Sequence, residues 1–301
     1  MPGAQATKGL RGSVRRAVLV PIRYGITPEK IRRQLHLMVD TVTASDCSPT
    51  IGVTASNLDR HPKISADLAG LDLIVHGYQH VSYGALTEEE QARDLDQACL
   101  AFSVSGLRAT GFRAPYLSTN AATLPILRER GFVFDSSSTC FALETQDKFQ
   151  STVLRHAEAR YGRLKTTPEH PHLESDLVEL PVSLPDDELL IDAMGFRNPE
   201  RILSIFKSML SNVAHRGSAL VLQIHPERFG LCHAAIKKVL SEATDLGGWK
   251  TNLSLLGEWI RTRHGSPQPW PDGHAFAIAI TGDLDALTIA DFGRRLWPGI
   301  A

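Results

Sequence analysis

Short apolar runs alternate along this chain with stretches of helical period, and that alternation limits the possible folds more than any other feature. Residues 49–55 (PTIGVTA), 71–75 (LDLIV), 219–224 (ALVLQI) and 275–281 (AFAIAIT) are too short for buried helices and too continuously apolar for strands with one wet face. They read as strands covered on both sides, the pattern of a parallel sheet flanked by helices. Residues 16–22 (RAVLVPI) and 177–184 (LVELPVSL) are further strand candidates, with short strands expected at 111–113 and 132–135. Helices are predicted over 28–42, opened by Thr27 and Pro28, and over 87–103, where Thr87 and Glu90 have capping-box spacing. Others are predicted over 121–130, closed by Gly131, and over 199–215 and 232–244. Residues 143–176 are the least periodic and read as a long insertion. The whole, 1–301, reads as one α/β domain, a (β/α) barrel with its chemistry at the C-terminal ends of the strands.

The polar residues at those ends are His76 after LDLIV, Arg113 after GF, His225 after VLQI and Asp283 after AIAIT. Bulk properties narrow the partners. A formal net charge of −1 and a pI near 6.9 give no basic excess for nucleic acid or an anionic membrane. No run approaches the roughly 18 apolar residues of a membrane span, and the first sixteen residues lack a secretory apolar core. A cytoplasmic protein is expected, with Cys47, Cys99, Cys140 and Cys232 as free thiols. Nothing bears on oligomeric state.

His76 and His80, in H-G-Y-Q-H, have the i, i+4 spacing that puts two imidazoles on one helical face, where a divalent ion can bridge them. Alone, such a pair among twelve histidines means little. Here it is followed in order by G-F-R-A-P-Y (111–116), G-F-V-F-D-S-S (131–137), E-L-P-V-S (179–183) and L-Q-I-H-P (222–226). In that ordered set the chain, over about residues 14–230, resembles the polysaccharide-deacetylase family, also called carbohydrate esterase family 4. The resemblance implies a distorted (β/α) barrel that removes acetyl groups from amino sugars, with relatives that open cyclic amides. It implies that His76 and His80 are two of three protein ligands to a divalent metal, with zinc expected. By the same resemblance Arg113 orients the catalytic carboxylate, the Tyr116 backbone N–H helps bind the oxyanion, and His225 is the general acid.

One departure stands out. The family's first strand ends in two aspartates, the general base and the third metal ligand, but here R-A-V-L-V-P-I-R-Y-G (16–25) places Ile22 and Arg23 there. The C-terminal F-A-I-A-I-T-G-D-L-D-A-L (276–287) resembles the missing motif as T-x-D-x-D. It could be a rearranged barrel strand lying beside 16–22, the stub of a second module, or a pair of acids capping a helix that starts near Ala286. The first reading is adopted, with a C-terminal strand and helix over 275–301 completing the barrel and its site. Asp283 is then the base and Asp285 the ligand, exchangeable in role. Asp186 and Asp187, in S-L-P-D-D-E (183–188), could contact a substrate amine or tune His225, and Asp187 is taken as the substrate contact. The expected substrate is a small molecule or oligosaccharide bearing an N-acetyl group. The alternatives are a cyclic amide or imide hydrolase and an inactive carbohydrate-binding relative.

Overall fold

The apolar residues Ile31, Leu35, Met38 and Val42 recur at helical period, and helix Glu29–Thr43 buries that stripe. The structure, a computed structural model, describes residues 23–144, 147–263 and 270–296. Strand β1 (Thr50–Val53) follows, then short helices Ser56–Arg60 and Ile64–Leu68, β2 (Asp72–Val75), helix Glu88–Val104 and β3 (Gly111–Phe112). Thr87 and Glu90 form the predicted capping box. Helix Thr123–Glu129 leads to β4 (Phe134–Asp135) and β5 (Thr139–Phe141), and helix Lys148–Tyr161 to β6 (His172–Glu174), β7 (Leu177–Glu179) and β8 (Val182–Leu184). The last third contains helix Pro199–Arg216, β9 (Ala219–Gln223), helix Pro226–Asp245, β10 (Gly248–Thr251), helix Leu253–Thr262, β11 (Phe276–Leu284) and helix Ile289–Leu296.

The main sheet runs β10–β11–β1–β2–β3–β4–β7–β6, parallel except for β6 against β7, with β9 also paired to β11. Strands β5 and β8 form a parallel pair of their own. The sheet curls into a distorted (β/α) barrel, and the Val221 N–H of β9 donates to Ser183 Oγ of β8 at 3.1 Å, linking it to the β5–β8 pair. All nine residues of β11 are buried. It bonds β9 along one edge, and β10 and then β1 along the other, with Gly52 opposite Asp283. Among the described residues no helix is long and apolar enough to cross a membrane.

Several expectations need correction. The segment 143–176 is not irregular: Asp147 and Gln150 form a capping box that starts a 14-residue helix. Residues 177–184 form two strands in two sheets, broken at Leu180–Pro181, where proline has no N–H for the ladder. The helix expected over 232–244 begins earlier, at Pro226. The expected strand 16–22 lies outside the described residues. Among the described residues β11 pairs with β9, β10 and β1. Just beyond that segment, Gly25 forms a parallel bridge with Thr288, past the end of β11. The acids Asp283 and Asp285 cap no helix, because the C-terminal helix starts at Ile289 behind Thr288.

Candidate metal and hydrolytic site

Alternate residues of a strand face the same side, so Thr281, Asp283 and Asp285 point together toward the curled interior. Asp283, buried on the strand, needs a partner to be tolerated. It has two: Arg113 Nη1 donates to Oδ1 at 3.1 Å and Gln223 Nε2 to Oδ2 at 2.6 Å. Arg113 is itself fully buried and also donates to Thr281 Oγ1 and to Ser136 through its carbonyl and hydroxyl oxygens. Burial alone would raise the Asp283 carboxyl, but Arg113 and His76 outweigh it and hold it below the usual carboxylate range. Asp283 is therefore an anion. Its neighbour on β1 must lack a side chain, because a Cβ at Gly52 would lie 2.5 Å from Oδ1.

His76 directly follows β2. Its N–H donates to Val53 O, and its Nδ1 pairs with Arg113 O at 2.8 Å, which turns Nε2 toward the acids. The H-G-Y-Q-H segment is a turn, not the helix that the i, i+4 argument assumed. Gly77, at φ +70°, makes the reversal. Asp94 then ties the turn down by accepting from the N–H groups of Tyr78 and Gln79. The two imidazoles nevertheless meet, with ring centroids 5.1 Å apart. His76 Nε2 is 3.4 Å from Asp285 Oδ1, and His80 Nε2 is 3.3 Å from Asp285 Oδ2. One ligand atom from each of His76, His80 and Asp285 lies within 4.8 Å of the others. Burial, with Arg295 adding to it, pushes the His80 pKa down to about 4, so its ring is neutral and able to ligate near neutral pH. Burial would raise Asp285, yet Arg295 and His80 pull it well below the usual range. Its Oδ1 is buried without a hydrogen-bond partner among the described residues. A buried carboxylate with an orphaned oxygen, set against two imidazoles, suits a divalent cation such as zinc.

His225 follows β9, at the N-cap position of helix Pro226–Asp245, but its side chain caps nothing. Instead its Nδ1 pairs with Asp187 Oδ1 at 2.7 Å, and its N–H donates to Asp187 Oδ2 at 2.8 Å. Burial alone would lower the His225 pKa, but Asp187 overrides it and raises the ring well above its ordinary value. Asp187 is thus fully buried behind His225 with both oxygens committed, which is not the place of a substrate contact. Tyr116 sits at φ +61° in the loop after β3, with its ring edge-on to His80 at 4.5 Å. The pocket lined by His76, His80, Asp285 and His225 is walled by Tyr116, Tyr161 and Arg295.

The structure therefore gathers His76, His80, Asp283, Asp285, Arg113 and His225 in one place, with Tyr116 at its mouth and Asp187 behind it. Sequence reasoning missed Gln223, Asp94, Gly52 and Arg295. Gln223 was accessible, standing two residues before His225 on the same strand face. So was the helix that carries Arg295, since Thr288 and Asp291 have capping-box spacing and form that box. Gly52 gave no signal, because its role depends on which strand lies opposite.

Residues 31–134 match the family model described as polysaccharide deacetylase. A curated relative, the peptidoglycan deacetylase-like protein FGM2 of Gibberella zeae, is 26% identical over 187 residues, covering 56% of this chain. The chain spans about half of that relative, 55% of its length. A solved structure from Mycobacterium smegmatis, assigned as a polysaccharide deacetylase, superposes with a TM-score of 0.60 at 22% identity, covering 79% of this chain and 80% of its own. The Puue allantoinase structure superposes with a TM-score of 0.58 at 18% identity, covering 77% and 73%. At these identities the superpositions speak for the fold.

Proposed function

The chain carries a polysaccharide-deacetylase domain, and from that premise we propose that it is a metal-dependent hydrolase that removes an N-acetyl group from an amino sugar or a small compound carrying one. The observation that carries the reading is the buried Asp285 carboxylate beside His76 and His80, with its Oδ1 left without a hydrogen-bond partner among the described residues. These three residues would hold the ion, and we propose zinc. Such an ion, when bound, polarises a carbonyl and lowers the pKa of a water.

The remaining work falls to the chain. Asp283, kept anionic by Arg113, accepts the proton of the attacking water. Gln223 fixes its second oxygen, so the carboxylate cannot swing away from the His76 side of the pocket. The Tyr116 N–H contributes to the oxyanion hole as the carbonyl oxygen gains charge. His225, held as a cation by Asp187, gives its proton to the departing amine. An amide needs that proton because an amine anion is a very poor leaving group. The segment 16–25 has Ile22 and Arg23 where the family motif has acids, and the C-terminal strand end carries two. We propose a single domain over 1–301 on this ground, with 275–301 part of the site.

The test is an assay of zinc-loaded protein for acetate release from N-acetylglucosamine and its short oligomers, run beside ring opening of a hydantoin and a cyclic imide. Acetate release that is lost on chelation and restored by zinc is expected. Ring opening without acetate release would replace this reading with a cyclic-amide hydrolase.

A further inference from the structure

Arg295 is a cation within the proposed metal site, on the C-terminal helix Ile289–Leu296. Its Nη1 lies 3.0 Å from Asp285 Oδ2, and its side chain is only 14% exposed. Its Nη2 lies 3.0 Å from His80 Nδ1 and 3.1 Å from His80 Nε2. A group equidistant from both ring nitrogens cannot lie in the ring plane, where it would collide with the carbon between them. The amino group therefore rests on the face of His80, and Tyr116 meets the same ring edge-on. The guanidinium therefore stays off the in-plane lone pair of Nε2, which lies 3.3 Å from Asp285 Oδ2. At Asp285 the division is similar: Oδ2 is held by the guanidinium, while Oδ1 is the oxygen with no partner.

The helix is fixed so that this arm reaches its place. Asp291 and Arg295 stand four residues apart on helix Ile289–Leu296 and share a face. Asp291 is buried and accepts from Arg60 Nε at 2.7 Å, pairs with His61 Nε2 at 2.8 Å, and accepts from Thr288 N and Oγ1. Arg60 and His61 close the short helix after β1, so the C-terminal helix is clamped to the strand beside β11. One turn beyond the clamp, Arg295 points back to the acid on β11.

We infer that Arg295 is a positioning residue for the metal: it holds Asp285 Oδ2 and the face of His80, so that Asp285 Oδ1 and His80 Nε2 are presented to the ion. The inference rests on the metal reading above. Its measure is metal binding, apart from turnover. Partners that orient ligands commonly contribute about 10–100-fold to metal affinity. Arg295→Gln, which keeps a planar donor but loses the charge and the reach to both groups, should weaken zinc affinity within about that range in a chelator competition. It should also change the visible absorption of the cobalt-loaded protein. Arg295→Lys, which can serve Asp285 or His80 but not both, should fall between and guards against a Gln variant that fails to fold. Thermal unfolding without metal serves as the check on folding. Zinc affinity and a cobalt spectrum unchanged in either folded variant, beside a wild type that binds metal, would overturn the inference alone. A wild type that binds no metal would overturn the metal reading together with it.

Discussion

At the scale of single residues, the arrangement separates a group that takes a proton from one that gives it. Asp283 is held down by Arg113, and His225 is held up by Asp187. If His225 protonates the leaving group, His225→Ala should depress turnover of an amide far more than that of an acetyl ester with a good leaving group. Equal losses on both would assign His225 to binding or structure. The Asp187 contact adds a sign. Asp187→Asn removes the charge that raises the ring, so the His225 pKa falls and the alkaline limb of the turnover profile moves to lower pH. A limb that stays in place would show that another group sets it. Much of this layer was legible in the sequence, because an ordered set of polar residues at strand ends is itself a pattern. Asp187 was legible as an acid that could tune His225, but nothing in S-L-P-D-D-E tells which of two neighbouring acids, both buried, reaches that ring.

At the scale of elements, β11 decides the site and also limits how it can be tested. The strand is entirely buried between β9 and β1, so removing it would dismantle the sheet and say nothing about chemistry. Its fit against β1 is testable instead. Gly52→Ala would press a methyl onto Asp283 Oδ1. It should cost about 1–3 kcal/mol of stability, as overpacking does, and reduce activity further by displacing the carboxylate. Wild-type activity in Gly52→Ala would mean that Asp283 is not held where the register puts it. The sequence identified the C-terminal strand and its acids, but not its neighbours. Strand order is a long-range property, and a buried apolar run fits several slots in a parallel sheet equally well. The 148–161 helix was hidden for a different reason: its buried side is small, with Val153 and Ala157 as the fully covered residues, so the apolar stripe is faint even though the D-x-x-Q cap is present.

At the scale of the whole molecule, two buried acids away from the site make stability depend on pH. Asp135 on β4 and Glu179 on β7 face each other in register, both buried. Burial pushes Asp135 up to about 6, and burial together with Asp135 raises Glu179 well above its usual range. The folded protein therefore keeps a proton that the unfolded chain releases near its ordinary carboxylate pKa. Stability should fall as pH rises from about 4 to about 6. Asp135→Asn should flatten that slope and gain on the order of 2–3 kcal/mol relative to wild type above it, read by urea unfolding at several pH values. An unchanged slope would mean that the pair does not share a proton. The architecture was legible at this scale, because strand–helix alternation leaves few options. The buried acid pair was not, since each acid sits in an ordinary strand end.

The central claim is that the C-terminal strand completes a metal site begun by H-G-Y-Q-H. The most direct test is the zinc stoichiometry and affinity of wild type beside Asp285→Asn and the His76→Ala, His80→Ala double variant, each checked for folding. The account predicts one tightly bound zinc in wild type and little or none in either variant. Full zinc occupancy in folded Asp285→Asn would contradict it.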